Sequence, residues 1–278
     1  MIKADLQGVP ATTLWTLHLR AAEAARRDTV LPDPRAVRLV AEVDFPFEER
    51  LGAARPWMAQ SIALRARCFD DVVRAFLTAH PDGTVVALGE GLETQFWRVD
   101  NGLVRWVTVD LADPLALRRR VLPHGDRQRL IACDARDPRW MTDVDASRGV
   151  LVTAQGLLMY LQPTQVTQLI AACAEAFPGG AMVFDTVSQR ISTRTRTHGK
   201  GPGGQPLPLM PWGMDAADRD RLRTAHPAIT DISDVPLPAG RGLLGYLAPR
   251  AASLPLVRND RPLITHLRFG RVPGPRRA

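Results

Sequence analysis

Cysteine, tyrosine and lysine are scarce in this chain, and the shortage of cysteine excludes folds held together by disulfides or by structural zinc. The 278 residues include three cysteines, Cys68, Cys133 and Cys173. They are widely spaced and form no Cys-x-x-Cys pair, so neither a disulfide framework nor a zinc site is predicted. The six histidines form no His-Glu-x-x-His pattern. We therefore expect no bound metal.

Long apolar runs are also missing. No stretch approaches the ~20 apolar residues of a membrane-spanning helix. The first residues, Met1 to Asp5, lack the charged-then-apolar pattern of a signal peptide. We therefore expect a cytoplasmic protein without membrane association. With 45% apolar residues over this length, one elaborated domain is favoured over two independent ones.

The positive charge comes almost wholly from arginine, since Lys3 and Lys200 are the only lysines. The net charge is +7, and the run from Arg118 to Arg120 is a candidate for phosphate contacts. A nucleic-acid-binding surface typically interleaves aromatic with basic side chains, yet aromatic residues make up 6% of the chain. We expect no nucleic-acid partner.

A pair of glycines after a short apolar strand is the most informative motif. The strand Val85–Leu88 leads into Gly89 and Gly91, which are predicted to open a helix, and a second apolar strand ends at Asp110. In a doubly wound α/β sheet this arrangement lets a nucleoside-bearing cofactor approach bare backbone while an acid accepts the ribose hydroxyls. The motif predicts a cofactor site.

The residues after the glycines indicate which cofactor. A dinucleotide fingerprint needs a third glycine where this chain has Thr94, and no Gly-Lys-Ser/Thr of a phosphate-binding loop follows. Glu93 is expected to repel a pyrophosphate. S-adenosylmethionine, which carries no phosphate and leaves S-adenosylhomocysteine as product, fits these features. A plain turn is the alternative.

The rest of the chain alternates between predicted strands and helices, which is typical of a parallel α/β sheet. The strand that ends at Asp110 covers 106–109. Further strands are predicted at 129–133, 149–154 and 181–184, and a terminal pair at 229–232 and 263–269. Helices are predicted at 61–79, 115–122, 163–177 and 215–224, the second with Asp113 as its N-cap. Asp134, Gln155 and Asp185 end strands, where ligands bind in such sheets.

Two further regions are expected to shape the site. Helical periodicity in residues 12–78 predicts an N-terminal lid, residues 1–80, within the same domain as the core, residues 81–278. The segment 188–214 is rich in glycine, proline, threonine and arginine and leaves the carboxyl end of the fifth strand. We expect it to form a wall of the acceptor pocket.

Five motifs, in the same order, give the chain a family resemblance over most of its length. They are Gly8-Val9-Pro10 to Trp15 with Arg20-Ala21 and Asp33-Pro34-Arg35-Ala36, Leu64 to Asp71, Leu88 to Gln95, Thr153 to Leu161, and Pro211 to Asp215. With them the chain resembles the leucine carboxyl methyltransferase family, and more closely its bacterial branch of tetracenomycin-type O-methyltransferases. The resemblance implies a class I methyltransferase, Rossmann-like sheet of about seven strands, the last antiparallel, with the insertion after strand five.

The resemblance also implies roles for individual residues around S-adenosylmethionine. Arg65 would hold the cofactor carboxylate, Gly89 and Gly91 would admit the methionine part, Asp110 would bind the ribose, Asp134 and Ala135 would flank the adenine, and Gln155 would lie near the amine. Three positions depart from the family pattern: Glu93 and Gln95 replace Asp and Arg, and Gln155 replaces Glu.

Other interpretations of these residues remain open from the sequence. Arg65 lies in a predicted helix and could belong to a solvated face. Asp110 could cap the next helix, and Asp134 could form a turn.

The acceptor side is predicted from fewer signals. Tyr160 and His198 are the candidate catalytic residues, and His18, Met159, Met210 and Trp212 are the candidate acceptor contacts. The predicted function is O-methylation of a carboxylate or hydroxyl of a small molecule such as a polyketide-like natural product, by a monomer or homodimer. Alternatives are cofactor binding without methyl transfer, and methylation of protein carboxyl groups or RNA.

Overall fold

The computed structural model describes residues 2–4, 6–198, 208–242, 245–246 and 262–270 of the chain. Within these ranges a seven-stranded sheet forms the centre of the molecule. Its strands are β1 (Thr84–Leu88), β2 (Arg105–Asp110), β3 (Gln128–Ala132), β4 (Val150–Ala154), β5 (Ala181–Thr186), β6 (Ile229–Asp234) and β7 (Leu263–Phe269).

The strand order is β3-β2-β1-β4-β5-β7-β6, and β7 runs antiparallel to both of its neighbours. The order reverses at β1, which pairs in parallel with β2 on one side and with β4 on the other. Ligands bind at the carboxyl ends of the strands beside such a reversal. The predicted α/β class, the seven strands and the antiparallel last strand are all confirmed.

Eight α-helices whose two ends both lie within described ranges surround the sheet. They are α1 (Thr12–Ala24), α2 (Pro34–Glu42), α3 (Phe47–Leu51), α4 (Pro56–Ala79), α5 (Gln95–Val99), α6 (Ala112–Val121), α7 (Pro163–Ala176) and α8 (Gln189–His198). Short 3₁₀ helices cover Val9–Ala11, Pro138–Asp143, Leu158–Tyr160 and Ala216–Ala225. Ile2–Lys3 and Val43–Asp44 form a small parallel pair.

Helices cover both faces of the sheet, because β1 and β4 are buried along their whole length and present apolar side chains to each side. On one face, Phe69 and Val73 of α4 belong to a buried cluster with Val85 of β1. On the other face, Leu169 and Cys173 of α7 belong to a buried cluster with residues of β1, β4 and β5. The sheet is thus the middle of three layers.

The N-terminal helices differ in detail from their prediction. Helix α4 starts at Pro56, five residues before the predicted start at Ser61, and its apolar face packs on the sheet. Helix α1 belongs to a separate buried cluster with α2, in which Leu14 and Leu17 meet Leu92, which lies just after the glycine pair. The described helices include none that is both long enough and apolar enough to cross a membrane.

Candidate functional site

The glycine turn lies between β1 and α5, and both glycines have a left-handed backbone. Gly89 has φ +58° and Gly91 has φ +51°, a conformation that favours glycine. A Cβ on Gly89 would lie 2.9 Å from a methyl group of Leu157, and one on Gly91 would overlap the side chain of Thr13. The glycines are therefore required by close packing as well as by φ. The turn does not open directly into a helix, since α5 begins only at Gln95.

Asp110 is joined to this turn. Its carboxylate accepts hydrogen bonds from the amide of Gly91, at 2.7 Å, and from the amide of Leu111, at 2.8 Å. Burial raises the pKa of Asp110, and the two amide hydrogen bonds act in the opposite direction. The carboxylate is held in one orientation at the carboxyl end of β2, with acceptor capacity remaining for a ligand.

The predicted N-cap of the next helix is wrong. Helix α6 has Leu111 at its N-cap position with no side-chain cap, and Asp113 lies inside the first turn. Its carboxylate lies near the helix N-terminus, where the helix dipole favours a negative charge. Asp110 accepts from the amide of Leu111, which is the N-cap residue itself, so Asp110 is not a side-chain cap of α6 either.

Glu93 faces inward rather than toward a ligand phosphate. Its carboxylate pairs with Arg20, at 2.9 Å, and with Arg98, at 2.8 Å. Burial alone would raise the pKa of Glu93, but the two guanidiniums and the hydrogen bonds lower it to about 2. Asp33 and Asp70 complete this buried network through the same two arginines. Glu93 therefore contacts arginines inside the protein, and its expected repulsion of a pyrophosphate stays a prediction.

Gln155 connects the buried network to the end of β4. Its Nε2 donates to Glu93 Oε2 at 3.1 Å. A carboxylate only accepts hydrogen bonds, so this contact fixes which end of the amide faces Glu93. The other end, Oε1, is buried and has no hydrogen-bond partner among the described residues. It is an acceptor available to an ammonium group.

Arg65 does not lie on a solvated face of α4. Its side chain is 18% exposed, and Nη1 donates to Asp185 Oδ2 at 3.0 Å. The other oxygen of Asp185 accepts the amide of Gly156 at 2.5 Å. By contrast, the nearby Arg67 is 45% exposed and pairs loosely with Asp71. The sequence placed Asp185 at a strand end but gave no sign that it pairs with a residue of α4.

Tyr160 lies beside this ion pair. Burial raises the pKa of Tyr160, while a hydrogen bond with Thr12 and the nearby Arg65 act in the opposite direction and Asp185 adds to the rise. The phenol therefore keeps its proton at neutral pH. It is able to donate a hydrogen bond but is not a base.

Asp134 and Ala135 follow β3 in a turn. The Asp134 carboxylate accepts from the amide of Arg136 at 2.9 Å and pairs with its guanidinium at 2.5 Å. The hydrogen bond with the Arg136 guanidinium lowers the pKa of Asp134. The carbonyl of Ala135 accepts from the indole of Trp140 at 3.0 Å. Both residues have turn-forming contacts, and their predicted role beside an adenine stays a prediction.

Three of the predicted acceptor contacts belong to neighbouring segments. The carbonyl of Met159 accepts from the amide of Trp212 at 3.3 Å, and the Trp212 ring lies 6.0 Å from that of Phe184. Met210 is bound through its backbone to Ser192 and Thr195 of α8, at 2.7 and 3.1 Å. The segment 208–214 thus packs against α8 and the residues after β4.

Of the two candidate histidines, His18 lies in the packed N-terminal helices, and the side chain of His198 is outside the described part of the structure. His18 is buried on α1, with Nε2 3.1 Å from the carbonyl of Gly52 and its ring stacked 5.7 Å from Phe47. These are contacts of a packed core residue. His198 ends α8, and its side chain lies outside the described part of the structure. Both assignments stay predictions.

The residues around the glycine turn fit the groups of S-adenosylmethionine. Asp110 offers oriented carboxylate oxygens for ribose hydroxyls. Gln155 Oε1 and Arg65 Nε are buried polar atoms without a partner among the described residues. They match an ammonium group and a carboxylate, respectively. Glu93 follows the glycine turn and accepts a hydrogen bond from Gln155, and the next residue, Gly156, packs against Arg65. These groups therefore lie in one region.

Comparison with known proteins supports S-adenosylmethionine as the cofactor. The family model for leucine carboxyl methyltransferase matches residues 13–174. The tetracenomycin polyketide synthesis O-methyltransferase TcmP of Streptomyces glaucescens is 34% identical over 183 residues, which are 66% of this chain and 67% of that protein. The S-adenosyl-L-methionine-dependent methyltransferase dpfgK of Gibberella zeae is 28% identical over 191 residues, which are 63% of each protein.

The fold is also that of a solved methyltransferase. The apo structure of the S-adenosylmethionine-dependent methyltransferase SibL aligns with a TM-score of 0.50 at 16% identity, covering 95% of this chain and 70% of that one. At this identity the likeness concerns the fold alone.

Proposed function

Because the chain belongs to the leucine carboxyl methyltransferase family, we propose that it transfers the methyl group of S-adenosylmethionine to a carboxylate or hydroxyl oxygen of a small molecule. The chain is an S-adenosylmethionine-dependent methyltransferase. The observation that carries the proposal is the hydrogen bond from the Gly91 amide to the Asp110 carboxylate, which joins the acid to the glycine turn. This arrangement presents an acid and bare backbone to one nucleoside.

Each residue around the turn has a distinct binding task. Asp110 accepts hydrogen bonds from the ribose hydroxyls, and Arg65 presents N–H groups to the carboxylate. Gln155 accepts from the amine through Oε1, and Asp134 with Ala135 flanks the adenine. When bound, S-adenosylmethionine supplies a methyl group activated by a positively charged sulfur. The protein therefore has to align the acceptor oxygen with that methyl group and exclude water.

The acceptor oxygen determines whether a base is needed. A carboxylate acceptor is already ionised at neutral pH. A phenol or enol would gain from a base, but Tyr160 keeps its proton because burial raises its pKa. We propose that catalysis rests on positioning, with Tyr160 as a hydrogen-bond donor and with Met159, Met210 and Trp212 as contacts of the acceptor. His18 and His198 are further candidates for this side.

We propose a polyketide-like natural product as the acceptor. The proposal is supported by the similarity to TcmP, whose name gives its role in tetracenomycin polyketide synthesis. The protein would act in the cytoplasm as a monomer or homodimer, with neither nucleic acid nor membrane as partner.

The test is incubation with methyl-labelled S-adenosylmethionine, below the Kd expected for Asp110→Ala, and a panel of aromatic carboxylates and phenols, with Asp110→Ala as the variant expected to transfer less label. The expected result is label in an acceptor together with S-adenosylhomocysteine. Tight binding of S-adenosylmethionine without any S-adenosylhomocysteine across the panel would favour the alternative of binding without transfer. Label in RNA or in protein carboxyl groups would favour those acceptors instead.

A further inference from the structure

Asp185 is a buried acid at the carboxyl end of β5 whose two oxygens contact two different parts of the candidate site. The residue is 3% exposed. Oδ2 accepts from Arg65 Nη1 at 3.0 Å, and Oδ1 accepts from the Gly156 amide at 2.5 Å. One carboxylate thus connects a side chain of α4 with the backbone after β4.

Gly156 completes the seat of the guanidinium. Its φ is +68°, and a Cβ there would lie 3.3 Å from Arg65 Nη1. The guanidinium therefore rests against bare backbone, with the Asp185 carboxylate binding both. Because a guanidinium is planar, fixing Nη1 also restricts the directions of its other N–H groups.

One N–H of the Arg65 guanidinium lacks a partner in the described part of the protein. Nε is buried and has no hydrogen-bond partner among the described residues. A buried N–H of this kind is costly unless a ligand or water satisfies it. The neutralising charge of Asp185 lowers the cost of keeping the guanidinium partly buried before a ligand arrives.

We propose that Asp185 is the positioning residue for cofactor-carboxylate recognition. It holds the Arg65 guanidinium against Gly156 so that the remaining N–H groups face the amino-acid end of S-adenosylmethionine. Asp185 itself does not touch the cofactor in this proposal. The inference rests on the proposed role of Arg65 in the site.

A pair of ligands separates this role from general support of the fold. S-adenosylhomocysteine has the carboxylate, whereas its decarboxylated analogue keeps the adenosine, the sulfur and the amine. Asp185→Asn places an amide between Arg65 and the Gly156 amide and cannot satisfy both as the carboxylate does. We expect its Kd for S-adenosylhomocysteine to rise roughly tenfold or more, the loss of a charge-assisted hydrogen bond. Its Kd for the decarboxylated analogue should stay within about twofold of the wild-type value, because Asp185 acts only through the carboxylate contact.

Arg65→Lys and the double variant test whether Asp185 acts through Arg65. Arg65→Lys should show the same selective loss, and Arg65→Lys with Asp185→Asn should bind no more weakly than Arg65→Lys alone. Asp82→Asn is the matched control, since Asp82 pairs with Arg148 at 2.6 Å just before β1, at the opposite edge of the sheet. It should bind both ligands as the wild type does.

Several results would overturn the proposal. An equal loss for both ligands in Asp185→Asn would show that Asp185 only supports the fold. Unchanged binding of both ligands would show that it has no role in recognition. If Asp185→Asn does not fold, Asp185→Glu is measured in the same way, because it keeps the charge but shifts the carboxylate by one methylene. Failure of the wild type to bind S-adenosylhomocysteine would count against the cofactor site itself, a separate outcome.

Discussion

The carboxylate of Asp110 accepts a hydrogen bond from the Gly91 amide at 2.7 Å. The acid that ends β2 and the turn that follows β1 therefore form one unit. Thr13 of α1 accepts the next amide, that of Leu92, at 2.7 Å, so the N-terminal helix contacts the same turn. A change at any of these residues is expected to affect cofactor binding, stability or both.

Replacing Asp110 should weaken cofactor binding. In Asp110→Ala we expect the free energy of S-adenosylhomocysteine binding to become less favourable by about 2 to 3 kcal/mol, the value of a hydrogen bond to a charged group. Isothermal titration calorimetry measures it directly. Asp113→Ala, an exposed acid in the first turn of α6, is the matched control and should bind normally. Unchanged affinity in Asp110→Ala would count heavily against the site.

Comparison of two glycines with positive φ separates the cost of backbone strain from the cost of steric overlap with a neighbouring side chain. Gly102 has φ +81° with open space around its Cα, whereas a Cβ on Gly91 would overlap Thr13. Gly102→Ala should lower the free energy of unfolding by about 1 to 2 kcal/mol, the cost of the left-handed backbone alone. Gly91→Ala should lose more, since overpacking adds about 1 to 3 kcal/mol.

Urea denaturation gives both values. Adding Thr13→Ala to Gly91→Ala removes the overlapping side chain and should recover part of the loss. Equal losses in the two single alanine variants would show that the contact with Thr13 does not constrain the turn.

The buried network around Glu93 should be a large contributor to stability. Glu93→Gln removes the carboxylate that pairs with both Arg20 and Arg98, and breaking a buried ion pair costs about 3 to 5 kcal/mol, of which Asp33 and Asp70 offset a part because they still pair with these arginines. Glu175→Gln, at an exposed position of α7, should change little.

The same variant has a defined pH dependence. The pKa of Glu93 is lowered from 4.5 to about 2 in the folded protein. When the pKa of a carboxyl group is lower in the folded than in the unfolded protein, its ionised form stabilises the fold. This stabilisation is complete above the pKa of the unfolded state and is lost as the pH falls toward the pKa of the folded state. The difference in unfolding free energy between wild type and Glu93→Gln should be constant above about pH 5 and narrow by up to ~1.4 kcal/mol per pH unit below it. A difference that stayed constant down to pH 3 would contradict the assigned pairing.

Catalysis by positioning predicts modest effects at the candidate catalytic residues. Tyr160→Phe should retain measurable turnover, because its phenol keeps its proton and acts at most as a donor. His198→Ala should also retain turnover. The measurement is kcat with saturating S-adenosylmethionine and an identified acceptor. Complete loss in His198→Ala with cofactor binding intact would indicate base catalysis.

Much of the fold was predictable because apolar patterning marks buried strands. The predicted strands at 149–154 and 263–269 match β4 and β7 within one residue. Local signals were weaker at helix ends: Asp113 resembles an N-cap, but the N-cap position is Leu111, two residues earlier. The segment after β5 contains helix α8, whose polar composition gave no apolar stripe by which to predict it.

The individual site residues followed from motifs, but their partners did not. Arg65 and Asp185 are 120 residues apart, and Glu93 reaches Arg20 across 73 residues. Spacing along the chain predicts contacts only between residues that are close in sequence. These pairs meet because the tertiary fold brings distant segments together. For this reason the motif predicted a role for Glu93 toward a ligand but did not predict its two arginine partners.

The most direct test of the account is a crystal structure with S-adenosylhomocysteine. It should show the ribose hydroxyls on Asp110 and the carboxylate on Arg65, with Gln155 Oε1 facing the amine. A ligand bound elsewhere, or a ribose out of reach of Asp110, would contradict the account.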